Sequence, residues 1–377
     1  MSADVAVVGA GVIGSATALA LARRGAEVTL IEAEPEPGLA ASGTNSGVLH
    51  TGFDSHPGEL ETELILRAAP LREELLRELG VPVRRCGATM RPLEEAQHQA
   101  IAGLAENARH NGVNVDLRED GALEIPGEAI TDPVACTLAY ADGAVHQGAT
   151  LRTGFRVVAI RADADDLILA GEGGDSVRCR IVVNCAGLGA ARVASLLGDE
   201  SFEVYPRKGE FFVFDPPGGR LERILLPVPS KHTKGVLVFP TLDGKIVAGP
   251  TAVDQEDLED WAVRPAAREE VVSQAARLLP ALEGAEPVAS YAGLRPAGRG
   301  VNYLIGISPA FPRLVNVAAI RSTGLTAAPA IAERVCGLVA ETGLSLGPPQ
   351  PLRAPPWSSR SAFDGPWWRR TAAHRGR

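Results

Sequence analysis

The sequence predicts an α/β fold that opens on a Rossmann-type βαβ unit. Three observations carry this: an apolar run closed by a glycine triplet, two later strand-to-helix turns, and a block of short strands between them. Residues 4–9, DVAVVG, form a buried strand, and Gly9, Gly11 and Gly14 follow in the spacing G-x-G-x-x-G. Alanine and leucine over 12–24 favour a helix, Gly25 stops it, and EVTLIE at 27–32 makes a second strand. A second buried strand and βα turn lie in CRIVVNCAGLGAARVASLLG, 179–198, where the strand ends at Asn184 and Gly187. A third pass covers 315–341: a strand at 315–320, a turn at Gly324, and a helix from near Thr326 with Pro329 in its first turn. Ala327, Ile331, Val335, Leu338 and Val339 follow helical spacing there. Between these passes, 210–215, 235–241 and 245–251 read as strands, with LDG at 242–244 as a hairpin turn. Helices are expected at 59–79, 94–111 and 265–282, and an acidic loop at 256–261.

Composition narrows the class. The chain has 377 residues, 45% of them hydrophobic, enough for one large core or two smaller ones around a cleft. A net charge of −9 without a basic block in the body argues against a nucleic-acid surface. Cys86, Cys136, Cys179, Cys185 and Cys336 are scattered without a C-x-x-C pair, so they read as buried thiols of a reducing cytosol rather than as a disulfide framework or metal site. No apolar run reaches the roughly 18 residues of a membrane span, and the chain enters its first strand too early for a signal peptide. A soluble, cytoplasmic protein is expected.

The glycine triplet has a physical task at each position. Gly9 turns the chain, Gly11 lets the backbone approach a pyrophosphate, and Gly14 lets helix and strand pack closely. Glu32, at the end of the second strand, is placed to accept hydrogen bonds from both hydroxyls of an adenosine ribose and to repel a 2′-phosphate. The small, polar run ASGTNSGVLHTGF at 41–53 can lie against a flat ring system, with Ser42, Asn45 and Ser46 as donors and acceptors, or can be a surface loop. Three separated returns of the chain to one ligand suit FAD better than NAD. The expected cofactor surface therefore also takes in Ala33, Val157, Ala186, Gly187, Gly293, Arg321, Thr323, Gly324, Leu325 and Thr326. The N-terminus of the last helix would offer its positive dipole end to the charge that flavin reduction builds.

GAGVIG with Glu32, then TNSGVLHTGF, NCAGLGA, YPRKGEFFVFD, GLRPAG and IRSTGLT, resemble the D-amino-acid oxidase superfamily of FAD oxidoreductases, in order and to about residue 342. Within it the chain resembles most the branch of soluble glycerol-3-phosphate dehydrogenases and L-2-hydroxyglutarate oxidases. The resemblance implies a discontinuous FAD-binding domain at 1–82, 132–200 and 289–345. It also implies an α+β substrate domain on an antiparallel sheet, inserted at 83–131 and 201–288, with a Pro/Arg/Trp-rich tail at 346–377. His50, where the family has a histidine, is the candidate base for the heteroatom proton, since imidazole titrates near neutral pH; the other reading is a loop histidine that only hydrogen-bonds. Similar proteins hold the substrate's phosphate or carboxylate with the arginine that matches Arg295, expected in a loop. The other reading of Arg295 is a structural salt bridge with a carboxylate such as Glu210. Arg321 is expected to bind the anion or tune the flavin. Lys208 is either a further cation of the site or a solvated charge, and Lys231, His232 and Lys234 read as an exposed turn or as a basic cluster that could meet a phosphate. Membrane-associated relatives carry an arginine and a lysine where this chain has Asp54 and, approximately, Gly324.

The expected activity is FAD-dependent oxidation of a CH–OH group in a small anion, glycerol 3-phosphate ahead of L-2-hydroxyglutarate. The electron acceptor would be oxygen, a quinone or a partner protein. CH–NH oxidation of an amino acid and a non-enzymatic FAD protein are the alternatives. The tail sets Arg353, Arg360, Arg369, Arg370, Arg375 and Arg377 against the single acid Asp364 and holds Trp357, Trp367 and Trp368. It reads as disordered or loosely packed, or as a weak contact to an anionic membrane surface.

Overall fold

The structure, a computed structural model, describes residues 2–229, 235–357 and 366–375. Strand Ala3–Val8 is apolar on both faces and lies parallel to Val28–Ile31 on one side and to Ser176–Asn184 on the other. Thr150–Arg152 and Leu314–Ala318 extend this parallel set at its two ends. The antiparallel strands Val157–Asp163, Asp166–Gly171 and Leu304–Ile307 complete an eight-stranded sheet. Helix Val12–Ala22, apolar all round, is buried at every position except Ile13. Its neighbours are helices Pro133–His146 and Gly324–Glu341. The former begins on Asp132, whose carboxylate accepts from the amides of Val134 and Ala135 at 2.8 and 2.9 Å.

The second sheet has nine strands and is built on Val204–Phe214. That strand pairs antiparallel with Ala289–Gly298 from Val204 opposite Gly298 to Val213 opposite Ala289. Its period of two sends Phe211 and Val213 to one face and Phe212 and Phe214 to the other. Helix Gln97–His110 covers the first face with Ile101, Ala105 and Ala108. Helix Ala267–Leu278 covers the second with Ala267, Val271 and Ala275. Leu237–Pro240 and Ile246–Gly249 are the expected hairpin. A small third sheet joins Val48–Leu49, Ala129–Thr131 and Val83–Arg84.

Several expectations need correction. Ala289–Gly298 belongs to the second sheet rather than to the third cofactor segment, because it pairs along its whole length with Val204–Phe214. Arg295 is accordingly a strand residue, not a loop residue. The last core helix begins at Gly324, which puts Pro329 inside the helix, and the strand before it ends at Ala318. Cys86 is only half-buried, whereas the other four thiols are buried and all five are free. The part of the tail at 366–375 is not loose. It contains helix Trp367–Arg375, with Trp367 and Trp368 buried in the core beside Tyr291. Trp368 carries Arg369 over its ring. Arg360, Asp364, Arg377, Lys231, His232 and Lys234 lie outside the described residues. Among the described residues no helix is long and apolar enough to cross a membrane.

Candidate active site

One elongated cleft follows the C-terminal ends of the parallel strands, where open α/β sheets bind ligands. At one end it is lined by Glu32, Ala33, Glu34, Arg156 and Val157; in the middle by Gly9, Gly11, Val12 and Ser42; and at the far end by Asn45, Pro296, Arg321, Ser322, Gly324 and Leu325. Ala186 and Gly187 form part of its wall. Gly9 has φ +103°, and a Cβ there would stand 2.4 Å from the Cys185 carbonyl oxygen. A Cβ on Gly14 would stand 1.8 Å from the Gly9 carbonyl oxygen, so Gly14 seals the turn from behind and does not line the cleft. Glu32 accepts the Ala10 amide at 2.7 Å and the Glu34 amide at 3.0 Å. Burial raises the pKa of this carboxyl, against the opposing pull of those amides.

Two helix N-termini face the cleft. Ser42 Oγ accepts the Val12 amide at 2.9 Å at the first. Thr323 caps the second without a side-chain bond to the helix. Its hydroxyl instead lies 2.7 Å from Tyr303 Oη and donates to Glu61 Oε1 at 2.6 Å. Ser46 Oγ accepts the Val48 amide at 3.3 Å, which spends it on its own loop. Gly293 faces the 41–44 turn, where a Cβ would stand 2.6 Å from Thr44 Oγ1. An elongated anionic ligand fits this cradle, since bare backbone and one positive helix end line its middle and a second helix end faces its far end.

His50 lies beyond the Leu325 end. Its amide donates to Thr326 Oγ1 at 3.0 Å, and its Nδ1 is 3.1 Å from Glu128 Oε2. The Glu128 side chain is fully buried and also accepts the amide and hydroxyl of Thr51, at 2.7 and 2.9 Å. Arg72, also buried, donates to the Thr326 carbonyl at 2.9 Å.

Arg295 sits one residue before the cleft-lining Pro296 and donates to the carbonyls of Arg207, Lys208 and Thr251. Among the described residues none of its hydrogen bonds goes to a carboxylate. Burial, with help from the nearby Arg207 charge and a smaller push from Arg321 but against the opposing charge of Asp254, brings its pKa down to about 10, so it stays charged at neutral pH. The alternative pairing with Glu210 is not formed, because Glu210 is held by Arg264, with Nη2 at 2.6 Å, and by Thr251. Arg321, 41% exposed, donates to Asn302 Oδ1 at 3.1 Å and stands 4.0 Å from Glu61. Lys208 is neither a site cation nor solvated: it is buried and paired with Asp260 at 2.7 Å, because its strand position points inward.

Sequence reasoning missed Glu128, Trp261 and the role of Arg375. Arg375 lines the Glu34 end of the cleft, lies 4.9 Å from the centre of the Trp261 ring and donates to Glu34 Oε1 at 2.8 Å. No spacing rule links position 375 to position 34; only the docked helix does.

A glycine-turn cleft at the C-terminal ends of parallel strands, with an antiparallel sheet at its far end, is the form of a dinucleotide-binding α/β protein. The profile of the DAO family, FAD dependent oxidoreductase, matches residues 4–338, and the chain belongs to that family. It is 32% identical over 346 residues to a glycerol 3-phosphate dehydrogenase of Caloramator mitchellensis, covering 87% of this chain and 72% of that one. It is 29% identical over 363 residues to a glycerol 3-phosphate oxidase of Mycoplasma pneumoniae, covering 89% and 94%. Among solved structures it is similar to dithionite-reduced L-alpha-glycerophosphate oxidase from Mycoplasma pneumoniae with FAD bound. That likeness has a TM-score of 0.86 at 26% identity and covers 97% of this chain and 100% of that one. The protein is an FAD-dependent oxidoreductase.

Proposed function

We propose that this enzyme oxidises the CH–OH carbon of glycerol 3-phosphate. The observation that carries this reading is Arg295, a half-buried guanidinium whose hydrogen bonds among the described residues go only to carbonyls, and which feels the charges of Arg207 and Arg321 with that of Asp254 opposing them. A partly buried cation with no carboxylate hydrogen-bonded to it suits the anionic end of a substrate. Support for a phosphate comes from the relatives named for glycerol 3-phosphate.

Glu32 would hold the adenosine ribose. The Gly9–Gly11 turn and Ser42 would hold the pyrophosphate, with Ala33, Val157, Ala186 and Gly187 walling that half. Asn45, Arg321, Gly324 and Leu325 would line the ring end, with Thr326 behind them. Bound FAD supplies the hydride acceptor. The chain's own part is to fix the substrate by its anion on Arg295 and to take the hydroxyl proton at His50, whose loop is tied to Thr326. Ser46, Gly293 and Thr323 support the loop, the strand crossing and the helix start.

The test is anaerobic titration of the yellow holoenzyme with glycerol 3-phosphate, L-2-hydroxyglutarate and glycine in turn. Bleaching by glycerol 3-phosphate is expected. Bleaching by either of the others but not by glycerol 3-phosphate would refute the assignment, and no bleaching by any would favour a non-enzymatic flavin. Reoxidation with oxygen or a quinone then identifies the acceptor.

A further inference from the structure

The buried Glu128 carboxylate belongs to no expected motif and lies 78 residues from His50 in the chain. A fully buried carboxylate is costly unless donors surround it, and here three do: the Thr51 amide, the Thr51 hydroxyl and the His50 ring. Its backbone is fixed as well. The Glu128 carbonyl accepts the Gly87 amide at 2.9 Å, and its own amide donates to Ile125 at 3.4 Å. Gly127 lets this turn approach the histidine loop, since a Cβ there would stand 2.8 Å from Thr51 Cγ2. The loop is pinned from the other side by the bond from the His50 amide to Thr326. The His50 ring is thus held at Nδ1, and its side chain keeps 25% exposure.

We propose that Glu128 is the positioning residue of this site: it fixes the neutral His50 ring as the Nδ1–H tautomer, so that the unprotonated Nε2 takes the substrate's hydroxyl proton. This rests on the base role proposed for His50. The reason is chemical. A carboxylate only accepts, so a hydrogen bond to Nδ1 requires the proton on Nδ1 and leaves the lone pair on Nε2. The same geometry makes Glu128→Gln a directed test. Both Thr51 donors converge on Oε1. A glutamine that keeps them turns its NH2 toward Nδ1, which must then accept, and the proton moves to Nε2.

The tautomer is read directly by 15N NMR of histidine-labelled holoenzyme above the imidazole titration, with the His50 signals assigned by their loss in His50→Gln. Nδ1–H is expected in the native enzyme and Nε2–H in Glu128→Gln, with the bound-flavin spectrum preserved in both. The limiting rate of flavin reduction by glycerol 3-phosphate should fall by about 10²–10⁴-fold in Glu128→Gln, with the half-saturating concentration little changed. An Nε2–H tautomer in the native enzyme overturns the proposal without any variant having to fold. So does a Glu128→Gln enzyme that keeps both native tautomer and native rate. If His50→Ala reduces flavin as fast as the native enzyme, the base role fails, and with it the catalytic half of the inference. The native tautomer still reports separately whether Glu128 orients the ring.

Discussion

Two charges in the strand pair Val204–Phe214 and Ala289–Gly298 meet opposite fates. Among the described residues Arg295 has no hydrogen bond to a carboxylate, whereas the buried Glu210 is enclosed by Arg264 and Thr251. Replacing Arg295 with lysine keeps a cation but loses the planar fork. The expected result is a roughly 10–100-fold rise in KM for glycerol 3-phosphate with flavin still bound, the size of one or two charged hydrogen bonds. An unchanged KM would remove Arg295 from the anion site. For Glu210, burial raises the pKa, but the bonds from Arg264 and Thr251 outweigh it and leave it below the ordinary 4.5. A carboxylate depressed in the folded state stabilises above its unfolded pKa, and that stability is lost as pH falls through the folded value. The gap in Tm between the native protein and Glu210→Gln should therefore be full at neutral pH and narrow below about pH 4.5. A gap independent of pH would contradict this. Both residues stand out in the sequence, but which of them is paired does not, because the partner of Glu210 lies 54 positions away on a connection without regular pattern.

At the scale of elements, the helix Trp367–Arg375 is the part the sequence read least well. Proline, arginine and tryptophan in a short stretch look like a solvated tail when no partner is visible. In the fold the two tryptophans fill the space beside Tyr291, while Arg370 pairs with Glu36 at 2.6 Å and His374 with Glu34 at 2.8 Å. Trp367→Ala should cost about 3–5 kcal/mol, seen as a lower midpoint in urea unfolding. A stability loss of only a few tenths of a kcal/mol, the midpoint shift multiplied by m, would mean that the helix is not docked. The glycine turn was legible because its demands are local. Gly14→Ala sets a Cβ against the Gly9 carbonyl, so the variant should purify without flavin or fail to fold, whereas a yellow variant with native absorbance would refute the turn's role.

Taken as a whole, the molecule sets a sheet whose parallel strands carry the cleft beside a mainly antiparallel sheet that brings Pro296, next to Arg295, to its far end. Cofactor binding should therefore stabilise the native state, by about 2.7 kcal/mol when free FAD is 100-fold above its Kd. Calorimetry of holo and FAD-stripped protein should show that as a higher Tm for the holo form, and equal values would show that the cleft is not the FAD site. Hydrophobic period, glycine spacing and an acid at a strand end act within a few residues of each other, and by themselves they determined the α/β class, the glycine turn and the returns of the chain to one cleft. The tertiary structure alone decided which strand joins which sheet, that Arg295 among the described residues bonds carbonyls and no carboxylate, that Glu128 reaches His50, and that the C-terminal helix closes on Glu34. Each of these depends on groups far apart in the chain, 78 residues for Glu128 and His50 and 340 for His374 and Glu34, and no local pattern encodes such distances.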